Sequence, residues 1–370
     1  MEMGELNVAI IGMNFGKEFV KLYQCHPGVG KVAICQRDPE RLAENGEELG
    51  IPKELRYTSF DDVVADPDIG AVHIITPPAT HAGFTVRAMK AGKHAASTVP
   101  MGLKVEELEE ICALQKETGL VYMMMETAVY TREFLYAKAL ADSGELGRIQ
   151  FVRGSHMQDM GLEGWPEYWL GFPPFWYGTH AISPLVVLTG KKAEYVVGHG
   201  SGAYSEDLTR RYGSPYPVET VTIKLKDSDL LAEATRSLYE TVRQYRESFD
   251  VYGTKMAFEW EQIENEGAAL FEGGETVRRV HAPDTDDMLI EELKPFTKRE
   301  IILNKDNVSF IQGAGHGGSH PHLVQEFVAA ITEGRPASLD AKLSANITAA
   351  GILGHESAMR GGERIYLPEF

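Results

Sequence analysis

The sequence predicts an α/β protein with a doubly wound parallel sheet in its N-terminal part. The C-terminal part is predicted to be an α+β unit with a mainly antiparallel open sheet. Up to about residue 125, short apolar runs alternate with amphipathic helices, which is typical of a parallel sheet covered on both faces. From residue 149 onward, segments with alternating apolar and polar residues dominate, which indicates antiparallel strands. We therefore predict two domains, residues 1–128 and residues 129–370.

The first βαβ unit begins almost at the N-terminus. Leu6 to Ile11 and Lys31 to Cys35 are apolar strands, and the turn Gly12-Met13-Asn14-Phe15-Gly16 leads into a helix between them. In such a unit the helix N-terminus and free backbone N–H groups hold a pyrophosphate. The pattern thus predicts a dinucleotide-binding Rossmann unit. Its predicted contacts in the turn are Gly12, Asn14, Phe15 and Gly16.

The glycine fingerprint departs from G-x-G-x-x-G, because Asn14 occupies the second glycine position. Asparagine tolerates left-handed backbone geometry better than most residues, so we expect the turn to form. A glycine motif alone is a weak signal, and a βα turn without a ligand remains an alternative. At the end of the second strand, Gln36 could bind a ribose hydroxyl and Arg37 could stack on adenine or pair with a phosphate. We expect NAD as the cofactor and leave NADP open.

The strands that follow place further residues at the same sheet edge. Apolar runs at 71–76, 92–97 and 120–125 are the next predicted strands, and 83–91 and 105–118 are predicted helices. Ligands of doubly wound sheets bind outside the carboxyl ends of the strands. The further predicted cofactor contacts at these ends are Thr76, Pro77, His81, Thr98 and Pro100. For His81, we favour ordering of the turn over chemistry.

The second half is predicted to contain a helix at 132–142, the antiparallel segments, and final helices at 320–333 and 341–360. Residues 261–305 are acidic and rich in turn formers, which suggests a decorated hairpin. Residues 159–178 form a loop crowded with aromatic residues, and such loops are often binding walls. Because aromatic rings stack on the apolar faces of sugars, we predict Trp165 and Trp176 as substrate contacts. A subunit interface is the alternative.

Composition excludes several classes of function. The chain has 370 residues and a net charge of −18, which argues against nucleic acid and anionic membranes as partners. No apolar run is long enough to span a membrane, and the N-terminus lacks a signal-peptide pattern. Three cysteines without metal spacing suit a reducing cytoplasm. We expect a cytoplasmic homodimer or homotetramer, since open sheets of this kind usually pack face to face.

With both halves considered, the chain resembles the Gfo/Idh/MocA family of sugar- and polyol-acting NAD(P) oxidoreductases. The matching segments are Gly12 to Gly16, Thr76 to His81, Gly92-Lys93-His94, Gly178-Thr179-His180 and Gly253-Thr254. The resemblance implies that residues 1–128 bind the dinucleotide and that residues 129–370 carry the substrate site and the oligomer interface. Typical members have a proton-moving lysine in a Glu-Lys-Pro segment. Here Val99 occupies that position, and valine cannot carry a proton.

The chain is also similar to the NAD-dependent glycosidase branch of this family. The shared features are Val99-Pro100, Glu126-x-x-x-Tyr130 and Tyr177-Gly178-Thr179-His180, whereas the usual asparagine after the glutamate is Thr127 here. In that branch NAD oxidises the sugar C3 hydroxyl, which acidifies the C2 proton. The aglycone is eliminated, water adds and the hydride returns. The resemblance implies that Glu126, Tyr177 and His180 contact the substrate.

These three residues are the predicted catalytic group. His180 precedes an apolar helix, and the ordinary pKa of histidine suits a general base near neutral pH. Tyr177 lies three residues earlier and would reach the same pocket. Glu126 ends a buried strand, where a carboxylate is costly without a partner, so we expect it to anchor the substrate or act as a second acid/base. The structural alternatives are a helix cap for His180, an aromatic wall residue for Tyr177 and an ion pair for Glu126.

Further substrate contacts are predicted at Tyr130, His156 and His316, with interdomain packing as the alternative for Tyr130. His316, His320 and His322 lie within seven residues, a density that could bind zinc. No carboxylate or cysteine accompanies them locally, so we predict no metal.

Three functions remain open from the sequence. We expect an NAD(P)-dependent oxidoreductase that abstracts hydride from a ring hydroxyl carbon of a sugar or glycoside, with C3 as the expected carbon. The alternative is a redox-neutral glycoside hydrolase or lyase that works by oxidation, elimination and reduction. The third is a non-catalytic dinucleotide-binding sensor, against which the aromatic loop and His180 argue.

Overall fold

The first sheet is parallel throughout. The computed structural model describes residues 6–263, 265–297 and 315–370. Six strands form this sheet: β1 (Leu6–Ile11), β2 (Val29–Cys35), β3 (Arg56–Tyr57), β4 (Ala71–Ile74), β5 (His94–Thr98) and β6 (Tyr122–Met125). Their order is β3-β2-β1-β4-β5-β6, and all neighbours are parallel. The order reverses direction at β1, which places a binding crevice at the carboxyl ends of β1 and β4.

Helices cover this sheet and continue into the second half. They are α1 (Lys17–Cys25), α2 (Pro39–Glu48), α3 (Phe60–Ala65), α4 (His81–Lys90), α5 (Val105–Thr118), α6 (Arg132–Asp142), α7 (Thr179–Thr189), α8 (Glu206–Tyr212), α9 (Gly315–Thr332) and α10 (Ala341–Met359). None of the described helices combines the length and the apolar character that crossing a bilayer requires.

The second sheet has nine strands. They are β7 (Ile149–Gln158), β8 (Ala193–Ser201), β9 (Val218–Leu225), β10 (Leu231–Ser237), β11 (Tyr245–Gly253), β12 (Ala257–Glu259), β13 (Ala268–Phe271), β14 (Val277–Val280) and β15 (Ile365–Tyr366). Their order is β14-β13-β12-β11-β7-β10-β9-β8-β15. Only β7 and β10 pair in parallel, and the other described pairs are antiparallel. The predicted fold class is confirmed.

One face of the second sheet is covered by α7 and α10. Residues alternate between buried and half-buried along β9, as expected for a sheet with one covered face. Small residues allow α10 to lie close to the strands: a Cβ atom on Gly198 would lie 2.1 Å from the carbonyl oxygen of Gly354. Because this face is tightly covered, side chains that point inward from β7, β10 and β11 are removed from water.

The boundaries of several elements differ from the sequence prediction. β4 ends at Ile74 rather than at residue 76, because the chain turns there towards Pro77 and the 3₁₀ turn Pro78–Thr80. The helices α2 and α8 were not predicted. The region 261–305 contains the hairpin β13–β14, and its residues 264 and 298–305 lie outside the described residues. The predicted domain boundary falls at the end of the 3₁₀ turn Thr127–Val129 and stays a prediction.

Candidate active site

A buried carboxylate–imidazole pair lies where the two halves meet. Glu126 directly follows β6 and caps the 3₁₀ turn Thr127–Val129, where it accepts a hydrogen bond from the Ala128 N–H. His180 is the second residue of α7, and its Nδ1 lies 2.6 Å from Glu126 Oε1. The side chains are 5% and 0% exposed for His180 and Glu126, respectively. The fold therefore brings together Glu126 and His180, two of the three predicted catalytic residues.

Each member of the pair favours the charged form of the other. Burial disfavours the charged form of His180, but Glu126 and Glu247 outweigh it and raise the pKa of His180. Burial likewise opposes ionisation of Glu126, but His180 and the Ala128 N–H lower the pKa of this carboxyl. A carboxylate on Nδ1 fixes the proton there and leaves Nε2 as the atom that can accept another proton. His180 is therefore oriented as a base.

Tyr177 completes the predicted group. It ends the 3₁₀ turn Pro174–Tyr177, two residues before α7 begins, and its hydroxyl lies 3.3 Å from His180 Nε2. Trp169 packs edge-on against its ring at 4.8 Å. Burial raises the pKa of Tyr177, so the hydroxyl keeps its proton and can donate or relay it.

His156 and Glu247 approach the same pair from the second sheet. They lie opposite each other on β7 and β11. Glu247 Oε1 lies 3.8 Å from His156 Nε2 and 3.8 Å from His180 Nδ1, and it accepts a hydrogen bond from the Tyr245 hydroxyl at 2.9 Å. His156 is fully buried, and neither ring nitrogen has a hydrogen-bond partner among the residues that the structure describes. Of this set, only His156 was predicted from the sequence.

Arg236 is a buried cation that sequence reasoning missed. Its guanidinium donates to the carbonyl oxygens of Tyr177 at 2.9 Å and His156 at 3.0 Å, and to that of Ser237. Burial lowers its pKa to about 10, so it stays charged near neutral pH. Arg236 thereby holds the strands and the turn that carry the site. The sequence did contain a signal for it: Arg236 continues the every-second-residue spacing of Ala232 and Ala234, which places a charged side chain on the inward face of β10.

Three side chains of this site are of the types that bind metal ions. His156, His180 and Glu247 each offer one ligand atom within 4.8 Å of the others. However, both nitrogens of His180 already face Glu126 and Tyr177, and a buried guanidinium lies beside the set. The arrangement fits proton transfer better than a divalent cation. The three histidines near the start of α9 diverge, since His316 contacts His320 whereas His322 contacts Thr285.

The glycine turn fits a dinucleotide. Gly12 has a φ of +96°, and a Cβ atom there would lie 2.1 Å from the Ile75 carbonyl oxygen. A Cβ atom on Gly16 would lie 2.1 Å from the Gly12 carbonyl oxygen. α1 starts at this turn without a side-chain cap, so its first N–H groups are available to a phosphate. Asn14 is exposed and does not have positive φ, so the turn forms as expected but without left-handed geometry at this residue.

Phe15 connects the turn to the C-terminal half. Its ring packs edge-on against His316 at 5.6 Å and His320 at 5.4 Å. His316 is buried, which lowers its pKa to about 3, and His180 also contributes to this shift. Of the two residues predicted to select the cofactor, Arg37 is exposed, and Gln36 accepts a hydrogen bond from Asn45 at 2.6 Å.

The other predicted cofactor contacts surround His81. Its ring nitrogens lie 2.8 Å from the Pro100 carbonyl oxygen and 2.7 Å from that of Thr76, and Thr98 Oγ1 lies 3.2 Å from Nε2. Pro77 immediately precedes the 3₁₀ turn Pro78–Thr80 beside them. Val99 is buried, and the peptide bond between Val99 and Pro100 is cis. His81 therefore links two carbonyls at the sheet edge, and no lysine occupies the position of Val99.

The aromatic loop contributes a different tryptophan from those predicted. Trp169 contacts Tyr177, whereas Trp165 packs on Trp169 and Trp176 lies against His355. The Tyr130 ring stacks on His322, and its hydroxyl forms a hydrogen bond with the Ser338 hydroxyl. Both contacts join parts of the fold to each other. Trp165, Trp176, Tyr130 and His316 stay predictions as substrate contacts.

The N-terminal geometry agrees with a family comparison. Residues 6–126 match the Gfo/Idh/MocA family model, described as an oxidoreductase family with an NAD-binding Rossmann fold. The matched residues span the whole six-stranded parallel sheet. The predicted resemblance is thus confirmed, as is NAD as the cofactor that this domain type binds.

Curated relatives and solved structures add context. The chain is 29% identical over 199 residues to a glycosyl hydrolase family 109 protein of Porphyromonas gingivalis, covering 50% of this chain and 42% of the relative. It is 30% identical to levoglucosan dehydrogenase of Pseudarthrobacter phenanthrenivorans, covering 54% and 53%. The chain thus spans about half the length of the curated relatives it matches. A structure of levoglucosan dehydrogenase with NADH and levoglucosan superposes with a TM-score of 0.79 at 21% identity, covering 98% of this chain and 100% of that one, and supports the same fold.

Proposed function

We propose that this chain is an NAD-dependent oxidoreductase that acts on a sugar or glycoside, with the ring C3 hydroxyl as the expected site of oxidation. The Glu126–His180–Tyr177 arrangement carries this proposal, because it is an oriented base with an exchangeable hydroxyl next to it. NAD bound at the glycine turn would supply a hydride acceptor. Relatives named levoglucosan dehydrogenase and glycosyl hydrolase support a carbohydrate as the substrate.

The residues divide the chemistry as follows. A substrate hydroxyl proton passes to His180 Nε2, either directly or through the Tyr177 hydroxyl, while the carbon loses hydride. Glu126 keeps Nδ1 protonated and stabilises the imidazolium that forms. Arg236 holds the Tyr177 and His156 backbones in place. Burial of the whole set excludes water, which strengthens each of these interactions.

A second candidate is redox-neutral cleavage of a glycoside. It is favoured by Val99 at the usual lysine position and by a second carboxylate, Glu247, within 3.8 Å of His180. Elimination after oxidation needs an additional acid/base, whereas net oxidation needs one base. Similarity to glycosyl hydrolase family 109 proteins supports the same candidate.

One assay separates these candidates. Purified protein is mixed with NAD and a panel of free sugars, levoglucosan, myo-inositol and 4-nitrophenyl glycosides, and NADH and nitrophenol are recorded together. Steady NADH formation is expected for the dehydrogenase, and nitrophenol release without net NADH for redox-neutral cleavage. His180→Ala should abolish either activity while NAD binding persists. Turnover at the wild-type rate in that variant would refute the assignment, and NAD binding without any turnover would favour the sensor.

A further inference from the structure

The end of β2 lies directly beside the glycine turn. The Gly12 N–H donates to the Cys35 carbonyl oxygen at 3.0 Å, and Gln36 is the next residue along the chain. The Gln36 N–H in turn donates to the Tyr57 carbonyl oxygen at 3.0 Å, which ties this backbone to β3. In a Rossmann unit, the side chain at this place meets the adenosine ribose of a dinucleotide whose pyrophosphate lies at the glycine turn.

The side chain at this place is a neutral amide rather than an acid. A carboxylate here binds the ribose 2′-hydroxyl of NAD, and its charge repels the 2′-phosphate of NADP. Gln36 is half-buried, and its Oε1 accepts a hydrogen bond at 2.6 Å from Nδ2 of the buried Asn45 on α2. Among the described residues its Nε2 group has no partner, so it can donate to a ligand. In either orientation of the amide, the position carries no negative charge.

A cation stands next to this amide, and the acid that follows it is already engaged. Arg37 is exposed, and none of the ion pairs among the described residues includes it. Asp38 caps α2: its Oδ1 accepts the N–H groups of Glu40 at 3.0 Å and Arg41 at 3.2 Å, and its Oδ2 lies 3.8 Å from Arg41 Nε. The Asp38 carboxylate therefore serves the helix, and the Arg37 guanidinium is left for a ligand.

We propose that this end of β2 binds the 2′-phosphate of NADP as well as the unmodified ribose of NAD, so that the chain accepts both dinucleotides. The Gln36 amide and the Arg37 guanidinium donate to phosphate oxygens, which only accept. A 2′-hydroxyl both donates and accepts, so NAD uses the same amide. Of the two roles that the sequence leaves open for Arg37, pairing with a phosphate is the one assigned. This inference rests on the proposed function only in taking the cofactor to be a nicotinamide dinucleotide.

The test titrates the full chain with NAD and with NADP in a calorimeter, without any sugar. Wild type should bind NADP no more than about 10-fold more weakly than NAD, because nothing at this place repels the phosphate. Gln36→Glu keeps the shape and the acceptor for Asn45 but adds a negative charge. It should weaken NADP binding at least ~10-fold and change NAD binding less than ~3-fold. The matched control is Gln115→Glu on α5, where Oε1 likewise accepts an N–H, that of Ala341 at 2.9 Å; it should leave the ratio of the two affinities unchanged.

A second variant tests the cation. Arg37→Gln should weaken NADP binding at least ~10-fold and NAD binding less than ~3-fold, whereas an equal loss for both would mean that Arg37 stacks on adenine and would overturn the inference.

Wild-type protein alone gives a test that does not depend on the folding of any variant. The probe 2′,5′-ADP differs from 5′-AMP only by the 2′-phosphate, and it should bind at least as tightly. Weaker binding of 2′,5′-ADP, or NADP binding more than about 10-fold weaker than NAD binding, would overturn this inference and leave the proposed function standing. A chain that binds neither NAD nor NADP would refute the proposed function and this inference with it.

Discussion

Replacing Glu126 with glutamine should separate charge from shape in the buried pair. Glutamine can still accept the Nδ1–H of His180 and the Ala128 N–H, but it carries no charge. Loss of one partner from a buried ion pair costs about 3–5 kcal/mol when the other charge stays behind. Here His180 can release its proton, so the cost should approach that of an impaired buried hydrogen bond, about 1–3 kcal/mol. At about 2–4 °C per kcal/mol for a domain of this size, Tm should fall by about 2–12 °C.

The effect on activity should be larger than the effect on stability. Without the carboxylate, the imidazolium that forms in the transition state loses the partner at 2.6 Å. General-base catalysis contributes roughly 10²–10⁴-fold, so we expect kcat to fall by ~10²–10³-fold with little change in NAD affinity. The base must be neutral to act, and Glu126 raises the pKa of His180. The acidic limb of the kcat/KM profile should therefore move to lower pH in Glu126→Gln.

The chain contains a matched control for this variant. Glu219 and His355 form a second buried pair at 2.7 Å, and Glu219 also accepts the Phe175 N–H. Glu219→Gln should lower Tm by a similar amount and leave the pH profile of kcat/KM unchanged. The reasoning would be refuted by wild-type kcat and an unmoved acidic limb in Glu126→Gln, or by the same limb shift in the control.

Other predictions follow from single contacts. Tyr177→Phe removes the hydroxyl 3.3 Å from His180 Nε2 and should lower kcat ~10-fold or more with Tm nearly unchanged, as steady-state kinetics and melting would show. Gly12→Ala places a methyl group 2.1 Å from the Ile75 carbonyl oxygen at φ +96°, so NAD binding measured by calorimetry should weaken by more than ~10-fold. The Glu126–His180 pair stabilises the fold because the pKa of Glu126 is lowered from 4.5 and that of His180 is raised from 6.5. The difference in the free energy of unfolding between wild type and Glu126→Gln should therefore be largest between pH 4.5 and 6.5, and it should shrink as the pH rises through the folded pKa of His180. Denaturation curves measured across this pH range would test it. Treatment with EDTA followed by dialysis should leave the activity unchanged, and a loss restored by a divalent ion would contradict the proton-transfer assignment.

The sequence predicts the first half of the fold more completely than the second. Buried parallel strands are continuous apolar runs, so β1 was located from its sequence to the residue. The amphipathic pattern of α5 likewise gave both of its ends. In contrast, α8 is seven residues long and charged, and β15 pairs through only two residues. Such elements are stabilised by tertiary contacts and leave little periodic signal.

The site shows the same division. Glu126 and His180 stood out because they lie at a strand end and after a glycine, and the family resemblance pointed to both of them and to Tyr177. Glu247 and Arg236 lie within alternating strands, where a charged residue usually faces water. Only the register of β7 with β10 and β11 shows that both point into the covered face. Local sequence patterns do not show which strands pair when those strands are far apart in the chain.

Proton counting can decide between the two candidate reactions. Net oxidation of an alcohol releases one proton for each NADH formed, and His180 would take up that proton first. Redox-neutral cleavage returns the hydride within the turnover and releases no proton from the redox steps. A pH indicator in weakly buffered solution should therefore show one proton per NADH for the dehydrogenase.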